Sequence, residues 1–293
     1  MMPAPPRAGD MGTMIGWFDR GRNVQARAPG EESVENPALD KHKSRGLDQM
    51  RDRLGDITKQ IDLRIQPDKP VRILEVGCGH GVALLELDRH YGRQIKLFGI
   101  NKAWTHGNLE IMRSLAEKTP EGKDIEYPQL YYFDVCEPWP LPSDSFDIVL
   151  SQHAFLWIAD KIRALEEINR VLKDDGIALL DFPVRKAGAM SKHSIVIQVG
   201  DGEIPILDDL KRFGNISVKR LRVPVLIRSW RWINRQLGRK TGESQSRPYI
   251  EMKKSRDFDF NLEIVSATRF SDILPGRKGI RSVYRVRPAA RIE

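Results

Sequence analysis

Apolar residues along the chain occur in short continuous runs and in longer stretches with an apolar residue every three or four positions. The short runs are typical of buried parallel strands, and the longer stretches are typical of amphipathic helices. Strands are predicted at 71–76, 94–101, 129–135, 146–151 and 177–182, and helices at 82–91, 108–118 and 160–172. Because parallel strands need crossover connections, this alternation predicts an α/β fold with a mostly parallel sheet and helices on both faces.

The flanking segments complete the predicted fold. A helical region with Gly46 and Gly55 as division points follows Asn36 and Pro37 and covers one side of the sheet. Two more runs, 261–270 and 279–287, predict a hairpin that completes a seven-stranded sheet with an antiparallel last strand.

Three parts of the chain are therefore predicted. Residues 1–36 are rich in Pro, Gly and charged residues and are expected to be flexible. Within them, the apolar patch 11–18 is either docked on the domain or a lid over the active site. Residues 37–183 and 258–293 form the α/β domain, and 184–257 are an insertion after the fifth strand that caps the substrate site.

The strongest candidate for a ligand site is the turn after the first strand. Gly77, Gly79 and Gly81 remove side chains from this turn, so a ligand can approach the backbone at the start of a helix. The spacing G-x-G-x-G followed by Val82 matches neither the dinucleotide fingerprint nor a phosphate-binding P-loop. Glu75 stands at the end of the strand, where a carboxylate is costly unless a cationic or hydrogen-bonding group meets it. A ligand that bears both an ammonium and a carboxylate suits this arrangement.

The phrase V-R-I-L-E-V-G-C-G-H-G at 71–81 resembles the first motif of the class I S-adenosylmethionine-dependent methyltransferases, which are small Rossmann-like enzymes. That motif runs hydrophobic-hydrophobic-(D/E)-hydrophobic-G-x-G-x-G. The phrases F-D-I-V-L-S at 146–151 and E-I-N-R-V-L-K-D-D-G at 167–176 are also similar to the family, although Asp174 and Asp175 replace its usual Pro-Gly. The resemblance covers 70–180 strongly and 258–288 weakly, and it implies S-adenosylmethionine as the cofactor.

The resemblance also implies a role for individual residues. In the family the glycine turn holds the methionine part of the cofactor, the end of strand two lies near the ribose, and an acidic residue after strand three meets the adenine. The residues at these positions are Glu75, Gly77, Cys78, Gly79 and Gly81 for the methionine part, Asn101 for the ribose, Asp134 and Val135 for the adenine, and Ser151 or Gln152 for the floor of the methyl site. Lys102 is a further candidate cofactor-binding residue. Asn101 departs from the usual Asp or Glu, but its carboxamide can still hydrogen-bond a ribose hydroxyl.

His153 is the candidate catalytic residue. It follows the fourth strand at the carboxyl edge of the sheet, where ligands bind in open α/β folds. Histidine side chains ordinarily titrate at a pKa of about 6.5, which suits proton removal at neutral pH. His153 is therefore either a general base or a residue that lines the cofactor or supports the structure.

Composition excludes several other classes of protein. The chain has 293 residues of which 40% are hydrophobic, enough for a sizeable core. From the lack of a long apolar run, neither a membrane span nor a secretory leader is predicted. Its two cysteines exclude a disulfide framework and favour a cytoplasmic location. The six histidines do not have metal-ligand spacing, so no metal site is predicted.

The positive charge is concentrated in the second part of the chain. Residues 184–293 hold 24 Lys and Arg against 11 Asp and Glu, while 211–242 contain no acidic residue. A helix predicted at 224–238 carries a stripe of Leu226, Trp230, Ile233 and Leu237 beside a stripe of Arg228, Arg231, Arg235 and Arg239. This basic helix is either a lid facing an anionic substrate, an RNA-binding element, or an attachment to an anionic membrane.

The predicted function is methyl transfer from S-adenosylmethionine to the O, N or C atom of a small molecule, with an anionic acceptor as one option. The alternatives are an RNA methyltransferase, a methyltransferase for a lipid-linked substrate at a membrane surface, and a non-catalytic cofactor-binding regulator. The phrase (D/N)-P-P-(Y/F) of amino-DNA and glutamine methylating enzymes is absent after strand four, where S-Q-H-A stands at 151–154. The acceptor and the oligomeric state stay open.

Overall fold

A computed structural model of the chain describes residues 45–117, 125–181, 195–206, 210, 215–220, 248–256, 258–273 and 279–288. The predictions for 1–36, for the apolar patch at 11–18 and for the basic helix at 224–238 fall outside these residues, as does most of 211–242. No helix within the described ranges is long and apolar enough to cross a membrane.

Helices and strands alternate through the first part of the chain, as the apolar pattern predicts. The helices are α1 (Leu47–Leu54), α2 (Ile57–Asp62), α3 (Val82–Tyr91), α4 (Leu109–Glu117), α5 (Lys161–Val171) and the short α6 (Phe270–Ile273). The strands are β1 (Val71–Val76), β2 (Ile95–Asn101), β3 (Gln129–Tyr132), β4 (Phe146–Ser151), β5 (Leu172–Leu180), β6 (Ile195–Val199), β7 (Gly202–Pro205), β8 (Ile216–Arg220), β9 (Pro248–Lys253), β10 (Leu262–Arg269) and β11 (Ile280–Val286).

The main sheet has seven strands in the order β3-β2-β1-β4-β5-β9-β8. The first five are parallel, β9 is antiparallel to β5, and β8 is antiparallel to β9. Strand β1 therefore lies inside the sheet with β2 and β4 as neighbours, so the turn that follows it opens at the carboxyl edge between two other strand ends. This mostly parallel α/β architecture confirms the predicted fold class.

Alternate residues of β1 belong to two separate apolar clusters, one on each face of the sheet. Leu74 and Val76 pack in the cluster that includes α5, whereas Val71 and Ile73 pack in the cluster that includes α1 to α4. Because successive side chains of a strand point to opposite faces, this division shows that the sheet is covered on both sides. A strand so buried is a rigid base for the turn that follows it.

The predicted hairpin forms, but its predicted place in the main sheet is wrong. Strands β10 and β11 pair with each other and then with β6 and β7 in a second sheet of order β10-β11-β6-β7. Ile250 and Met252 of β9 are fully buried beside β5, whereas most of β10 is exposed. The position next to β5 is buried, and the apolar side chains of β9 suit it, whereas the largely exposed β10 does not. Both β8 and β9 lie within 184–257, so part of that segment belongs to the main sheet.

Strand β11 of the second sheet holds the loop that follows β4. The backbone N–H of Ile280 donates to the carbonyl of Leu156 at 2.8 Å, and the Ser282 hydroxyl donates to the carbonyl of Ala159 at 2.6 Å. The loop leads into α5, whose N-cap residue Asp160 accepts a hydrogen bond from the backbone N–H of Arg163 at 3.0 Å. The two sheets therefore meet at the loop that carries Gln152 and His153.

Lys161 ties this loop to β11 from inside the protein. Its side chain is fully buried, and its Nζ donates to the carbonyls of Ile158 at 2.7 Å and Ile280 at 3.0 Å and to the Ser282 hydroxyl at 2.8 Å. Burial lowers the pKa of Lys161 to about 7. Three oxygens match the three donors of an ammonium group and favour the charged form.

Substituting Lys161 by Met is expected to lower the free energy of unfolding by about 2 kcal/mol or more, because three buried acceptors lose their donor. Urea unfolding followed by circular dichroism measures this change. Lys59→Met on the exposed side of α2 is the matched control and should change stability by less than about 0.5 kcal/mol. Equal midpoints for Lys161→Met and wild type would show that these hydrogen bonds give no net stabilisation.

Candidate cofactor and active site

The glycine turn between β1 and α3 has a backbone that only glycine adopts at low cost. Gly77, Gly79 and Gly81 have φ angles of 75°, 55° and 69°, all in the left-handed region. The N–H groups of Gly77 and Cys78 both donate to the carbonyl of Ile100, at 2.8 and 3.1 Å. The turn is therefore fixed to the end of β2, and its side-chain-free backbone is held in place before any ligand arrives.

Cys78 contributes its backbone to this turn and its side chain to the core. The residue is buried, and a Cβ built on Gly99 of β2 would come within 2.6 Å of its Sγ. Burial raises the pKa of the thiol well above its usual range. A contact of Cys78 with the cofactor through its side chain is therefore less compatible with the structure than one through its backbone.

Asn101 holds the turn from the end of β2. Its side-chain oxygen accepts from the N–H of Gly79 at 2.9 Å, and its amide nitrogen donates to the carbonyls of Gly79 at 3.0 Å and Gly107 at 3.1 Å. A carboxylate could accept from Gly79 but could not donate to the two carbonyls, which explains the departure from the usual Asp or Glu. The contact of Asn101 with a ribose stays a prediction, because its amide nitrogen already donates to the carbonyls of Gly79 and Gly107.

Glu75 and Gln152 present unsatisfied polar atoms at neighbouring strand ends. Glu75 is 4% exposed and Gln152 is 6% exposed, yet within the described part of the chain Oε2 of Glu75 and Nε2 of Gln152 have no hydrogen-bond partner. Burial raises the pKa of Glu75 to about 8. Since β1 pairs with β4, with Glu75 opposite Leu150, an unpaired acceptor and an unpaired donor lie at the same edge of the sheet.

Ser151 plays a structural part at the same edge. It is fully buried, and its hydroxyl donates to the carbonyl of Val76 at 3.0 Å. This bond joins the ends of β1 and β4 just before the glycine turn and the Gln152 loop begin. Its predicted role in the floor of the methyl site stays a prediction.

The ends of β2 and β3 are joined by an ion pair between Lys102 and Asp134, with 2.6 Å between Nζ and Oδ2. Burial alone would raise the pKa of Asp134, but hydrogen bonds from Lys102 and from the backbone of Cys136 outweigh it and lower that pKa. Val135 follows, half-buried, and its carbonyl accepts from the Trp139 indole at 3.0 Å. The structure thus brings Lys102 and Asp134 together, while their contacts with ribose and adenine stay predictions.

His153 lies in a strained backbone conformation next to two charged residues that the sequence analysis did not identify. Its φ is 65°, which is uncommon for a residue other than glycine and costs free energy. Its Nε2 lies 4.0 Å from Oδ2 of Asp181, and Nη1 of Arg53 lies 2.8 Å from the same oxygen. The backbone N–H of Asp181 donates to the carbonyl of Ser151 at 2.9 Å. This contact places the ends of β4 and β5 side by side.

A signal for Asp181 was available in the sequence. It directly follows a buried strand, as Asp134 does, and acidic residues at that position face the ligand edge of a parallel sheet. Arg53 gave no such signal, because it lies on α1 and reaches the site only through the packing of that helix on the sheet.

Metal coordination has no candidate site in the described ranges, where no group of three or more His, Cys, Asp or Glu residues is suitably arranged. Besides Asn101, Ser151 and the Lys102–Asp134 pair, the carboxyl edge carries the buried carboxyl of Glu75, the buried amide of Gln152, and the group of His153, Asp181 and Arg53.

Comparison with known proteins identifies the class. Residues 74–180, which run from β1 to the end of β5, match the profile of a family described as a methyltransferase domain. This part of the chain is thus a class I S-adenosylmethionine-dependent methyltransferase domain, and the family, the fold and the cofactor predicted from the first motif are confirmed.

Individual relatives resemble the chain over the same region. Glycine/sarcosine/dimethylglycine N-methyltransferase of Actinopolyspora halophila is 34% identical over 119 residues, which are 40% of this chain and 20% of that protein. Malonyl-(acyl-carrier protein) O-methyltransferase of Geobacter sulfurreducens is 34% identical over 110 residues, 37% of either protein. The chain therefore spans well under half the length of these relatives. The solved structure of YcgJ from Bacillus subtilis is 17% identical with a TM-score of 0.36, and the match covers 68% of this chain and 99% of that one.

Proposed function

We propose that this chain transfers a methyl group from S-adenosylmethionine to a small-molecule acceptor. The observation that carries the proposal is the buried carboxyl of Glu75, which has an oxygen without a partner within the described residues and a raised pKa at the end of β1. An unsatisfied buried carboxyl is costly. The ammonium group in the methionine part of the cofactor is the partner that would satisfy it.

The residues at the carboxyl edge fit the rest of the cofactor. The turn of Gly77, Cys78, Gly79 and Gly81 presents backbone at the start of α3, where a carboxylate is favoured. Asn101, Lys102, Asp134 and Val135 extend along the ends of β2 and β3 toward the ribose and adenine, and Ser151 and Gln152 close the methyl site. S-adenosylmethionine supplies an electrophilic methyl group with a good leaving group. The contribution of the protein is then mainly to align the acceptor with it.

Support for a small-molecule acceptor comes from the names of the relatives. One is named for methylation of glycine, sarcosine and dimethylglycine and another for methylation of a malonyl group on acyl-carrier protein. One relative is an N-methyltransferase and the other an O-methyltransferase, so their names do not indicate whether the acceptor atom of this chain is O, N or C. The basic segment 211–242 would bind an anionic acceptor, RNA or a membrane surface. Most of this segment lies outside the described residues.

Labelled cofactor tests this proposal. The full chain is incubated with S-adenosylmethionine carrying a 13C methyl group, together with a protein-free metabolite extract, purified RNA or anionic vesicles in separate reactions. We expect label in a small molecule with wild type and none with Gly79→Arg, which fills the turn. Label only in RNA or lipid would support those acceptors instead. S-adenosylhomocysteine formation in none of the reactions would favour a regulator that binds cofactor without catalysis.

A further inference from the structure

We infer that strand β11 of the second sheet positions the methyl site, with Ser282 and Tyr284 as positioning residues that act through the loop between β4 and α5. This loop covers residues 152–160 and begins with Gln152, a residue predicted for the floor of the methyl site. The inference rests on the proposed methyl transfer. It adds the residues, remote from the cofactor, that set how acceptor and cofactor are aligned.

The loop lies directly against the glycine turn. A Cβ built on Gly77 would come within 2.4 Å of the Cβ of Ala154, so Ala154 occupies the space that a side chain at position 77 would need. Two residues earlier, Gln152 is 6% exposed, and its Nε2 has no hydrogen-bond partner within the described residues. Any shift of the loop would therefore move the contact with the turn and the amide of Gln152 together.

Each end of the loop is fixed to a different sheet. At its start, the hydroxyl of Ser151 donates to the carbonyl of Val76 at 3.0 Å, which joins it to the main sheet. Further along, the backbone N–H of Ile280 donates to the carbonyl of Leu156 at 2.8 Å, which joins it to the second sheet. Residues 152–155 lie between these two anchors, so their position depends on both sheets.

Ser282 strengthens the anchor to the second sheet. Its side chain is fully buried, and its hydroxyl donates to the carbonyl of Ala159 at 2.6 Å and accepts from Nζ of Lys161 at 2.8 Å. A hydroxyl group can donate and accept at the same time, which neither a methyl group nor a carbonyl can do. The hydroxyl of Ser282 thus connects the end of the loop with the buried ammonium group.

Tyr284 holds the point where the loop becomes α5. Its hydroxyl accepts from the backbone N–H groups of Lys161 at 2.7 Å and Ile162 at 3.2 Å, and it donates to the carboxylate of Asp160 at 3.1 Å. The first N–H groups of a helix have no partner inside the helix. A side chain from β11 therefore completes the cap of α5, and the helix start cannot move away from the second sheet without losing these bonds.

A strained residue between the two anchors makes the loop sensitive to them. His153 has a φ of 65°, in the left-handed region that is unfavourable for residues other than glycine. Such a conformation persists only where its surroundings hold it. When the anchor on β11 is weakened, the backbone at His153 can relax toward an ordinary conformation, and Gln152 and Ala154 then change their positions relative to Gly77.

A displacement of this kind affects methyl transfer more than cofactor binding. The acceptor atom must face the methyl group in line with the carbon–sulfur bond, and a misplacement of about 1 Å can lower a rate by about 100-fold. The residues assigned to the methionine part, the ribose and the adenine lie at the ends of β1, β2 and β3 rather than on this loop. The second sheet is therefore expected to influence the rate constant and to leave the affinity for the cofactor nearly unchanged.

The NMR signal of a bound methyl group tests the inference without turnover. The full chain is mixed with S-adenosylmethionine that carries a 13C methyl group, and the chemical shift of the bound methyl group is compared among variants. Ser282→Val and Ser282→Thr have side chains of the same shape and differ only in the hydroxyl. We expect a changed signal in Ser282→Val and in Tyr284→Phe and a nearly wild-type signal in Ser282→Thr.

Tyr91→Phe is the matched control, because it removes another buried tyrosine hydroxyl that joins two helices away from the loop. The hydroxyl of Tyr91 on α3 donates to Asp62 of α2 at 2.9 Å. This variant should leave the methyl signal unchanged. The inference is overturned if Ser282→Val and Tyr284→Phe give the wild-type signal, or if Ser282→Thr changes it as much as Ser282→Val does. The two positions contribute different hydrogen bonds to one anchor, so either decides the test if the other variant does not fold.

Initial rates separate the rate constant from binding of the acceptor. S-adenosylhomocysteine formation is measured at saturating S-adenosylmethionine with a dilution series of the protein-free metabolite extract. We expect the maximal rate to fall by about 10-fold or more in Ser282→Val and Tyr284→Phe, and the extract dilution that gives half the maximal rate to change by less than about threefold. Ser282→Thr and Tyr91→Phe should keep most of the wild-type rate. Maximal rates in Ser282→Val and Tyr284→Phe equal to that of wild type would contradict the inference.

Calorimetry separates the failure of this inference from failure of the proposed function. The folded Ser282→Val and Tyr284→Phe variants should bind S-adenosylhomocysteine within about threefold of wild type, because their hydrogen bonds end on the loop. Loss of that affinity would mean that β11 supports the glycine turn itself and would overturn the inference. If wild type does not bind S-adenosylhomocysteine, or forms none from the extract, the proposed function fails. If wild type does both and neither variant changes the methyl signal, only the inference fails.

Discussion

Glu75→Gln is expected to weaken the binding of S-adenosylhomocysteine by about 10- to 100-fold, the loss typical of a charge-assisted hydrogen bond. The substitution keeps the shape of the side chain but removes the charge that meets the ammonium group. Isothermal titration calorimetry at pH 8.5 measures the change, with Glu137→Gln as a control at an exposed carboxyl. Equal affinities for Glu75→Gln and wild type would show that the ammonium group binds elsewhere.

The same substitution, which weakens ligand binding, should make the free protein more stable at neutral and alkaline pH. Burial raises the pKa of Glu75 from its ordinary value of 4.5 to about 8. A raised pKa means that the folded state holds the proton more tightly than the unfolded state. The contribution of Glu75 to stability is therefore full below pH 4.5 and declines as the pH rises toward 8. Wild type should lose stability relative to Glu75→Gln by a few kcal/mol between pH 5 and pH 9. Thermal unfolding at several pH values measures this, and parallel curves for the two proteins would contradict it.

Gly107→Ala is expected to abolish measurable binding of S-adenosylhomocysteine. A Cβ at this position would lie 1.7 Å from the carbonyl oxygen of Gly79, 2.4 Å from its carbonyl carbon and 3.0 Å from the backbone nitrogen of His80. All three are backbone atoms of the glycine turn, so the turn must move for the methyl group to fit. Gly107 also has a φ of 157°, which strains other residues. The displaced turn can no longer keep both hydrogen bonds from the Asn101 amide nitrogen.

Gly92→Ala is the matched control for this second experiment. Gly92 also has a positive φ, of 51°, but a Cβ there would have no atom within 4 Å. Because its ψ of −132° lies outside the left-handed helical region, the control should lose roughly 1–3 kcal/mol of stability from backbone strain alone and keep its affinity for the cofactor product. Calorimetry gives the affinities and urea unfolding gives the stabilities. Binding by Gly107→Ala within about threefold of the control would show that the ligand does not depend on the shape of the turn.

Much of the main sheet was predictable because its signals are local. The apolar runs of β1, β2 and β4 are continuous, and each is bounded by polar residues or glycine. Asp160 was recognisable as the cap of α5, and Gly55 as the end of α1, since both roles depend on neighbouring residues in the chain. The glycine spacing after β1 carried the family resemblance for the same reason.

The placement of the last strands was not predictable in this way. Strand β9, P-Y-I-E-M-K, is short and has no continuous apolar run, so no strand was predicted there, whereas β10, L-E-I-V-S-A-T-R, has the stronger strand pattern. Burial beside β5 nevertheless places β9 in the main sheet. The hairpin of β10 and β11 was correctly recognised because its pairing is between segments close in the chain. Its parallel pairing with β6 joins distant segments and leaves no local pattern.

The candidate site shows the same limit. Glu75, Asn101 and Asp134 were found from their positions at strand ends, but the sequence did not show that Asn101 clamps Gly79 to Gly107. Nor did it show that Arg53 on α1 reaches Asp181 after β5, since these residues are far apart in the chain. Contacts of this kind follow from how the helices pack on the sheet, which no single stretch of sequence specifies.

The most direct test of the assigned cofactor site is the number of protons exchanged when the full chain binds S-adenosylhomocysteine at pH 7, obtained from heats in buffers of different ionisation enthalpy. With a pKa of about 8, Glu75 is mostly protonated before binding and must ionise to meet the ammonium group. We expect the release of nearly one proton by wild type and of almost none by Glu75→Gln. Tight binding by wild type without proton release would contradict the pairing of Glu75 with the cofactor.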